Sequence, residues 1–508
     1  MPAGTGGRST GGASGGAGTS GGDGATGGVG GGTGGDGPAG AGTGGSLQDG
    51  GASGLGGAAG AGATGGAGNA GGAGNAGAAG NAGTAGTGGT GTPDICSFEL
   101  DDELSPAIAT VGIVNWSTDL EGLTEARIEF TLNDPAADEI NRGSGGVIDI
   151  TGETHRALLL GLKAGRSYTY RIVAKSGATT CISPERAITT GALATTPSIT
   201  HTVTRAPGDT DALSKGYIVT CHYSSPSVFI VDTDGDLVWR ADAPVDCSRA
   251  RMDWEGEQMW LLDANPTWGS VGEMRRISMD GTDILENVPG LEDAHHDLAV
   301  RPGGIVATLV WTASTGASDL VERAPDGTLS TIVTSAELFG SRSTYHANSL
   351  AYYAADDTYT VGDLEVVGFT KVTRAGEPLW DFRYACSDTD PLCAEGDLLG
   401  NHGHHLVDGR FLFFKARENP SRVFEYSFTE SPSSISATHL WTYEPGDAGS
   451  FILGDVQRLP NGNTLVTYSL DRELRELSPE GDLLQSILSN VALGYADYRE
   501  TLYGPPLR

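Results

Sequence analysis

The 508 residues carry 64 Asp and Glu against 31 Lys and Arg, a formal charge of −33, with 38% hydrophobic residues. That surface repels nucleic-acid phosphates rather than collecting them, which argues against DNA or RNA as a partner. No run approaches the roughly 20 apolar residues needed to span a bilayer as a helix, and the length allows two or three folded units.

Residues 1–92 are almost entirely Gly, Ala, Ser, Thr and Asn, with Arg8 as the one base and Asp23, Asp36 and Asp49 as the acids. Ordering such a backbone costs the most entropy and returns almost no buried apolar area, so this segment is expected to be a disordered, flexible tether. A strict every-third glycine is absent, which sets collagen aside. A basic region and an apolar core of a signal peptide are also missing from the first residues, so a removed targeting peptide or another export route is expected. A stretch of this composition ahead of folded domains resembles the stalk that follows the lipid-modified cysteine of bacterial surface lipoproteins, although that cysteine is not in the sequence. The expected location is the extracellular space or the cell surface of a bacterium, with a lipid anchor as one means of attachment.

Six cysteines fall as near neighbours: Cys96 with Cys181, Cys221 with Cys247, and Cys386 with Cys393. Three local disulfides are the economical pairing among the 15 that six cysteines allow, and they imply an oxidising compartment.

Residues 93–192 show the alternation of short strands with one buried face: Ala109–Trp116, Ala126–Leu132, His155–Leu160 and Ser167–Ala174. Trp116 lies on an early strand, and Leu160, Leu162, Gly165, Tyr168 and Tyr170 follow in one run. This pattern resembles the fibronectin type III sandwich with its tyrosine corner, and Trp116 and Tyr168 are read as core. A spacer or docking domain is the expected role.

From residue 193 to 508 a strand, a turn ending in glycine and a second strand recur around Gly235, Gly281, Gly327, Gly376 and Gly481. The first four are 46, 46 and 49 residues apart, and the last lies 105 beyond, two periods. Arg422–Phe428 followed by Ala437–Thr442 supplies the missing unit with its turn rewritten. Six units of this length, with further hairpins at Gly304, Gly409 and Gly462, predict an all-β, six-bladed β-propeller. Ala496–Tyr503 is expected to add the outer strand of a blade. Asp232–Asp236 has part of a calcium-loop spacing but coincides with a repeated hairpin, so it is read as a turn. Asp388, Asp390, Glu395 and Asp397 are read as a solvated loop with weak calcium binding as the other possibility. Trp239, Trp380 and Trp441 are read as packing residues.

Three units carry histidines just before or at the start of the first hairpin: His295, His296 and Asp297 ahead of Gly304; His346 and Asn348 ahead of Ala351; and Asn401, His402, Gly403, His404 and His405 ahead of Gly409. The first strand of every blade lines the axial channel, so circular repetition is expected to bring these residues to one point.

This arrangement resembles the bacterial arylsulfate sulfotransferase family over residues 200 to 490. His296 and Asp297 are similar to that family's His-Asp before a hairpin, His346 and Asn348 to its His-X-Asn-Ser strand, and Asn401-His402-Gly403 to its Gln-His-Asp nucleophile element. Gly454–Val466 is also similar. The resemblance implies a six-bladed propeller that moves a sulfuryl group from a phenolic sulfate to a phenol through a covalent sulfo-histidine, with no cofactor and no metal. His402 is the implied nucleophile, with His404 and His405 as adjacent contenders. His296 and His346 would bond the sulfuryl oxygens or exchange a proton with the phenol, and Asn348 and Asp297 would orient those rings. The family's arginine after His-X-Asn has no counterpart here, because Tyr359–Phe369 contains no base before Lys371. Two other readings remain open: clustered imidazoles with Asp297 as a divalent-metal site, and a non-catalytic surface propeller that binds a protein or glycan.

Overall fold

The computed structural model describes residues 96–507 apart from 137–138, 141, 148–149, 194–197, 209–211, 243–245, 264–272, 313–316, 340–345, 365–367, 383–399, 417–419 and 432–433. The tether, the pair Cys386 and Cys393, and the acids at 388, 390, 395 and 397 therefore lie outside the described residues.

The first unit is a two-sheet sandwich. One sheet pairs Phe98–Leu104, Gly112–Thr118 and His155–Leu159; the other is built from Glu125–Leu132, Arg142–Gly146, Ser167–Ser176, Thr179–Ile182 and Arg186–Thr189. Alternation places Trp116, Ile128, Phe130, Tyr168, Tyr170 and Ile172 in the space between the sheets. The Tyr168 hydroxyl accepts the Lys163 backbone N–H at 2.8 Å, which pins the loop entering that strand. Cys96 is bonded to Cys181 and Cys221 to Cys247.

Six further sheets form a six-bladed β-propeller. Their innermost strands are Asp497–Arg499, Cys247–Met252, Ala294–Arg301, Ala347–Tyr353, Asn401–Val407 and Asp455–Arg458, for blades one to six. Each marker glycine closes the turn between the third and fourth strands of its blade, with φ of 92° at Gly235, 72° at Gly281, 89° at Gly327, 84° at Gly376 and 95° at Gly481. An L side chain rarely takes that conformation, which is why the period shows as glycine.

Two chain segments close the ring. Asp497–Arg499 pairs with Tyr217–Cys221 and so supplies the inner strand of blade one, not the outer strand that the sequence suggested. The outer addition comes from His201–Arg205, which pairs with Leu483–Ser489 and makes blade six five-stranded. Both ends of the propeller segment are thereby held in the ring, and neither leaves an open ladder at the seam.

The sandwich packs directly against the propeller. Ile108, Val111, Ile113, Leu158 and Leu160 share one buried cluster with Tyr217, Val219, Trp239, Met259 and Met279 of blades one and two. Tyr503, just after the last strand, donates to the Leu158 carbonyl and accepts from the Leu160 N–H, both at 2.8 Å. Lys163 reaches across to the Asp232–Asp236 turn, where its Nζ lies 3.1 Å from Asp232, 2.8 Å from Asp234 and 2.7 Å from Asp236, with Glu139 of the sandwich at 3.2 Å. The calcium-like spacing thus serves a hairpin whose carboxylates hold an ammonium.

Candidate functional site

The inner strands share one irregularity. Pairing with the second strand slips between Cys247 and Arg249, between His295 and Leu298, between Ala347 and Ser349, and between Asn401 and His404. A bulge at the same level of four blades releases side chains from strict alternation and re-aims them at the strand starts. At the bulge of blade three, His296 takes a φ of 61°, a strained conformation for a residue with a Cβ.

The histidines that this brings together form a chain. His295 Nδ1 lies 2.6 Å from His296 Nδ1, and His296 Nε2 lies 3.0 Å from His346 Nε2 on the next blade. Burial, the dominant cause, lowers His296 to about 4, and burial together with the neighbouring His296 lowers His295 well below its ordinary value. Neutral imidazoles each carry one N–H, so the chain has two proton arrangements: donation runs from His295 through His296 to His346, or in reverse. Either end can take up a proton while the other releases one, without a lasting charge.

On the following blade His402 is buried and its Nδ1 lies 3.1 Å from the Gly400 carbonyl. Donation of that N–H places the ring's lone pair on Nε2. Asn348 donates its side-chain amide to the Asn401 backbone carbonyl at 2.6 Å, while its backbone carbonyl accepts from the Tyr495 hydroxyl at 3.1 Å. The Asn348 Oδ1, both polar atoms of the Asn401 amide and His295 Nε2 are buried with no hydrogen-bond partner among the described residues. Orphaned polar atoms of this kind are rare in native interiors, and here they gather at the strand starts.

The other candidates do different work. His404 is held at both nitrogens, by Ser349 Oγ at 3.0 Å and Thr360 Oγ1 at 2.6 Å, and its ring packs on Phe369 and Phe411. His405 accepts the Arg458 backbone N–H at 2.9 Å on Nδ1, further along the strand. Burial leaves His404 lowered to about 3 and His405 to about 4. Of the three contenders for nucleophile, His404 is thus fixed at both ring nitrogens, His405 accepts on Nδ1, and His402 is oriented through Nδ1 by the Gly400 carbonyl.

Asp297 belongs to a layer beneath the histidines that the sequence did not announce. Arg249 of blade two gives Asp297 its Nε at 2.6 Å and Nη2 at 3.3 Å, and gives Asp455 of blade six its Nη1 at 2.8 Å. The Tyr495 ring lies 4.7 Å from the guanidinium carbon. Asp297 also accepts the N–H groups of Leu298 and Leu350, both at 2.8 Å, so it fastens three blades. Gly403 permits this layer to close: a Cβ there would stand 2.0 Å from Asp455 Oδ1. The signal for Arg249 was present in Ser248-Arg249-Ala250-Arg251, where two arginines at period two stand in an otherwise buried strand.

The strand after His346, Thr358–Asp363, contains no arginine. Lys371 is engaged by Asp356 and Glu430, and Arg249 by its two carboxylates, so neither offers an uncommitted positive charge to the histidine layer. Among the described residues no group of three His, Cys, Asp or Glu side chains is arranged to hold a metal ion.

No family model matches the chain, and no curated protein matches it. Solved structures with a similar course include streptogramin B lyase, at 11% identity and a TM-score of 0.37 over 56% of this chain and 86% of that one. Apo AztD from Citrobacter koseri follows at 12% and 0.29 over 55% and 84%, and a DUF4784 family protein from Bacteroides caccae at 9% and 0.32 over 74% and 95%. These likenesses are of propeller-type, all-β fold alone.

Proposed function

We propose that the protein is a secreted or bacterial cell-surface sulfuryl transferase of the arylsulfate sulfotransferase kind, with a fibronectin type III-like sandwich built onto its propeller. The observation that carries this reading is the chain of imidazoles, His295, His296 and His346, assembled from two blades at the channel end where the next blade starts with Asn401 and His402.

In this reading His402 Nε2 attacks the sulfur of a phenyl sulfate. An N–S bond forms, the S–O bond to the ring breaks, and the phenolate leaves with a proton supplied by the His346–His296 pair. An acceptor phenol then attacks the sulfo-histidine, its oxygen takes the sulfuryl group as the N–S bond breaks, and its proton returns to the same imidazoles. Protons and sulfuryl group balance without a cofactor. Charge on the sulfuryl oxygens is met by N–H donors of the imidazoles and of Asn401 rather than by a guanidinium, so the absent arginine implies slower turnover, not a different reaction.

The test is incubation with 4-nitrophenyl sulfate and a phenol acceptor. Nitrophenol release that His402→Ala abolishes and His404→Ala retains supports the assignment. No release by the folded protein, at any acceptor tried, removes it and leaves the non-catalytic binding propeller as the better reading.

A further inference from the structure

We infer that the channel end opposite the His295–His296–His346 chain is a second, independent site that binds a neutral saccharide. A cavity of about 430 Å³ opens where the inner strands finish, within the roughly 300–1,000 Å³ typical of small-molecule sites. Its lining comes from the later residues of the inner strands and the turns that follow them. The Arg249 layer stands between it and the His295–His296–His346 chain, because Arg251, Gln457 and Asp497 each follow a residue of that layer, Arg249, Asp455 and Tyr495, by two positions and so share its channel-facing side.

The polar side of the cavity is left with unused hydrogen-bonding capacity. Asp497 is 4% exposed, and its Oδ2 has no hydrogen-bond partner among the described residues. Its Oδ1 takes only a long bond of 3.2 Å from Gln457 Nε2. Arg251 Nε forms a loose ion pair with Asp497 Oδ1 at 3.6 Å, too far for a hydrogen bond, and has no hydrogen-bond partner among the described residues, while its Nη1 donates to the Leu298 carbonyl at 2.8 Å. His405, with Nδ1 already accepting, is fixed as the tautomer that donates from Nε2. An acceptor carboxylate beside guanidinium and imidazole donors suits adjacent hydroxyls, each of which donates to one group and accepts from another.

The opposite side supplies apolar ring surface. Trp254 and Tyr352, half-buried, meet edge to face with centroids 6.0 Å apart, an amphipathic surface of the kind that the C–H face of a sugar packs on. The charge argues against an anion: Arg251 and Lys371 are outnumbered by Asp356, Asp408, Glu430 and Asp497 along the lining. Lys371 is already held by Asp356 and Glu430. A sulfate ester therefore belongs at the other end of the channel, and an uncharged polyol here.

Saturation-transfer NMR on the full chain tests this, with methyl glucoside, methyl galactoside and N-acetylglucosamine as neutral probes and benzoate and propylammonium as charged ones. At least one neutral probe is expected to bind saturably. Asp497→Asn and Tyr352→Ala are expected to weaken it by about tenfold, the size of a lost charged hydrogen bond or ring contact. Tyr352→Ala, at the cavity rim, decides the matter should Asp497→Asn not fold. Binding that survives His402→Ala separates this site from the transfer reaction. Absence of binding by all three saccharides, binding of a charged probe alone, or indifference to Tyr352→Ala overturns the inference.

Discussion

Replacing Lys163 with methionine tests whether the sandwich and propeller are one cooperative structure. The substitution keeps the stem and removes an ammonium that lies 2.7–3.2 Å from four carboxylates. Three of those acids are not stranded by its loss: Glu139 keeps Arg166 at 2.9 Å, Asp234 keeps Arg205 at 3.3 Å, and Asp236 is more than half exposed. Asp232 is the exception, fully buried in the turn with no other cation at salt-bridge distance among the described residues. Burial already raises it to about 7, with Asp234 and Asp236 adding to the rise and Lys163 opposing it. Breaking a buried pair in this way costs roughly 3–5 kcal/mol. The cost must depend on pH, and its sign follows from the raised carboxyl. A folded-state value above the unfolded one favours the folded protein at low pH, and the advantage is lost as pH rises from the unfolded value near 4 through the folded one. Without Lys163 the folded value climbs further, so Lys163→Met should lose about 3–5 kcal/mol at pH 8 but only about 1–2 kcal/mol at pH 5.5. Urea unfolding followed by tryptophan fluorescence at the two pH values measures both, with Trp116 in the sandwich and Trp239 in the propeller as reporters. A loss below about 1 kcal/mol at pH 8, or an equal loss at both, would refute the reasoning.

Three other outcomes follow from the axial layers. Arg249→Met leaves Asp297 and Asp455 buried without their cation and should cost about 3–5 kcal/mol in the same urea assay; adding Asp455→Asn should recover part of that loss. Gly403→Ala pushes a methyl group into Asp455 and should lower the thermal midpoint by several degrees while leaving His402 chemically intact, read by calorimetry. His295 and His296, the latter lowered to about 4, stay neutral through pH 6, so nitrophenol release should hold level from pH 8 to about 5 and fall only toward pH 4. Decline centred near pH 6.5, where an exposed histidine titrates, would contradict the buried chain. The same neutral histidines favour the folded state above the unfolded histidine value, so His295, His296, His404 and His405 together should make the protein lose stability as pH drops from about 6.5 toward 4.

Five of the six blades were legible because each takes a positive φ at the same turn, and a glycine marks that need at a nearly constant period. His296 and His346 could be placed together from sequence because ring closure makes equivalent positions neighbours whatever their separation along the chain. Local pattern was silent on the bulges. A strand that slips by a residue keeps its composition, so nothing in Ala294–Arg301 distinguishes His296, which faces a neighbouring imidazole, from His295 behind it. The Arg249 layer escaped for a similar reason: its partners Asp297, Asp455 and Tyr495 come from three other blades, and each alone reads as an isolated polar residue in a buried strand. Closure of the ring by Asp497–Arg499 was misplaced at the outer edge, because a three-residue strand carries too little alternation to show which edge it joins.

Incubating the protein with 4-nitrophenyl sulfate in the absence of an acceptor, quenching at alkaline pH and mapping peptides by mass spectrometry tests the central claim most directly. A mass increase of one SO3 group on the peptide containing His402, lost when a phenol is added before the quench, is the predicted result. An unmodified His402 in protein that has released nitrophenol, or the group found on another residue, would contradict it.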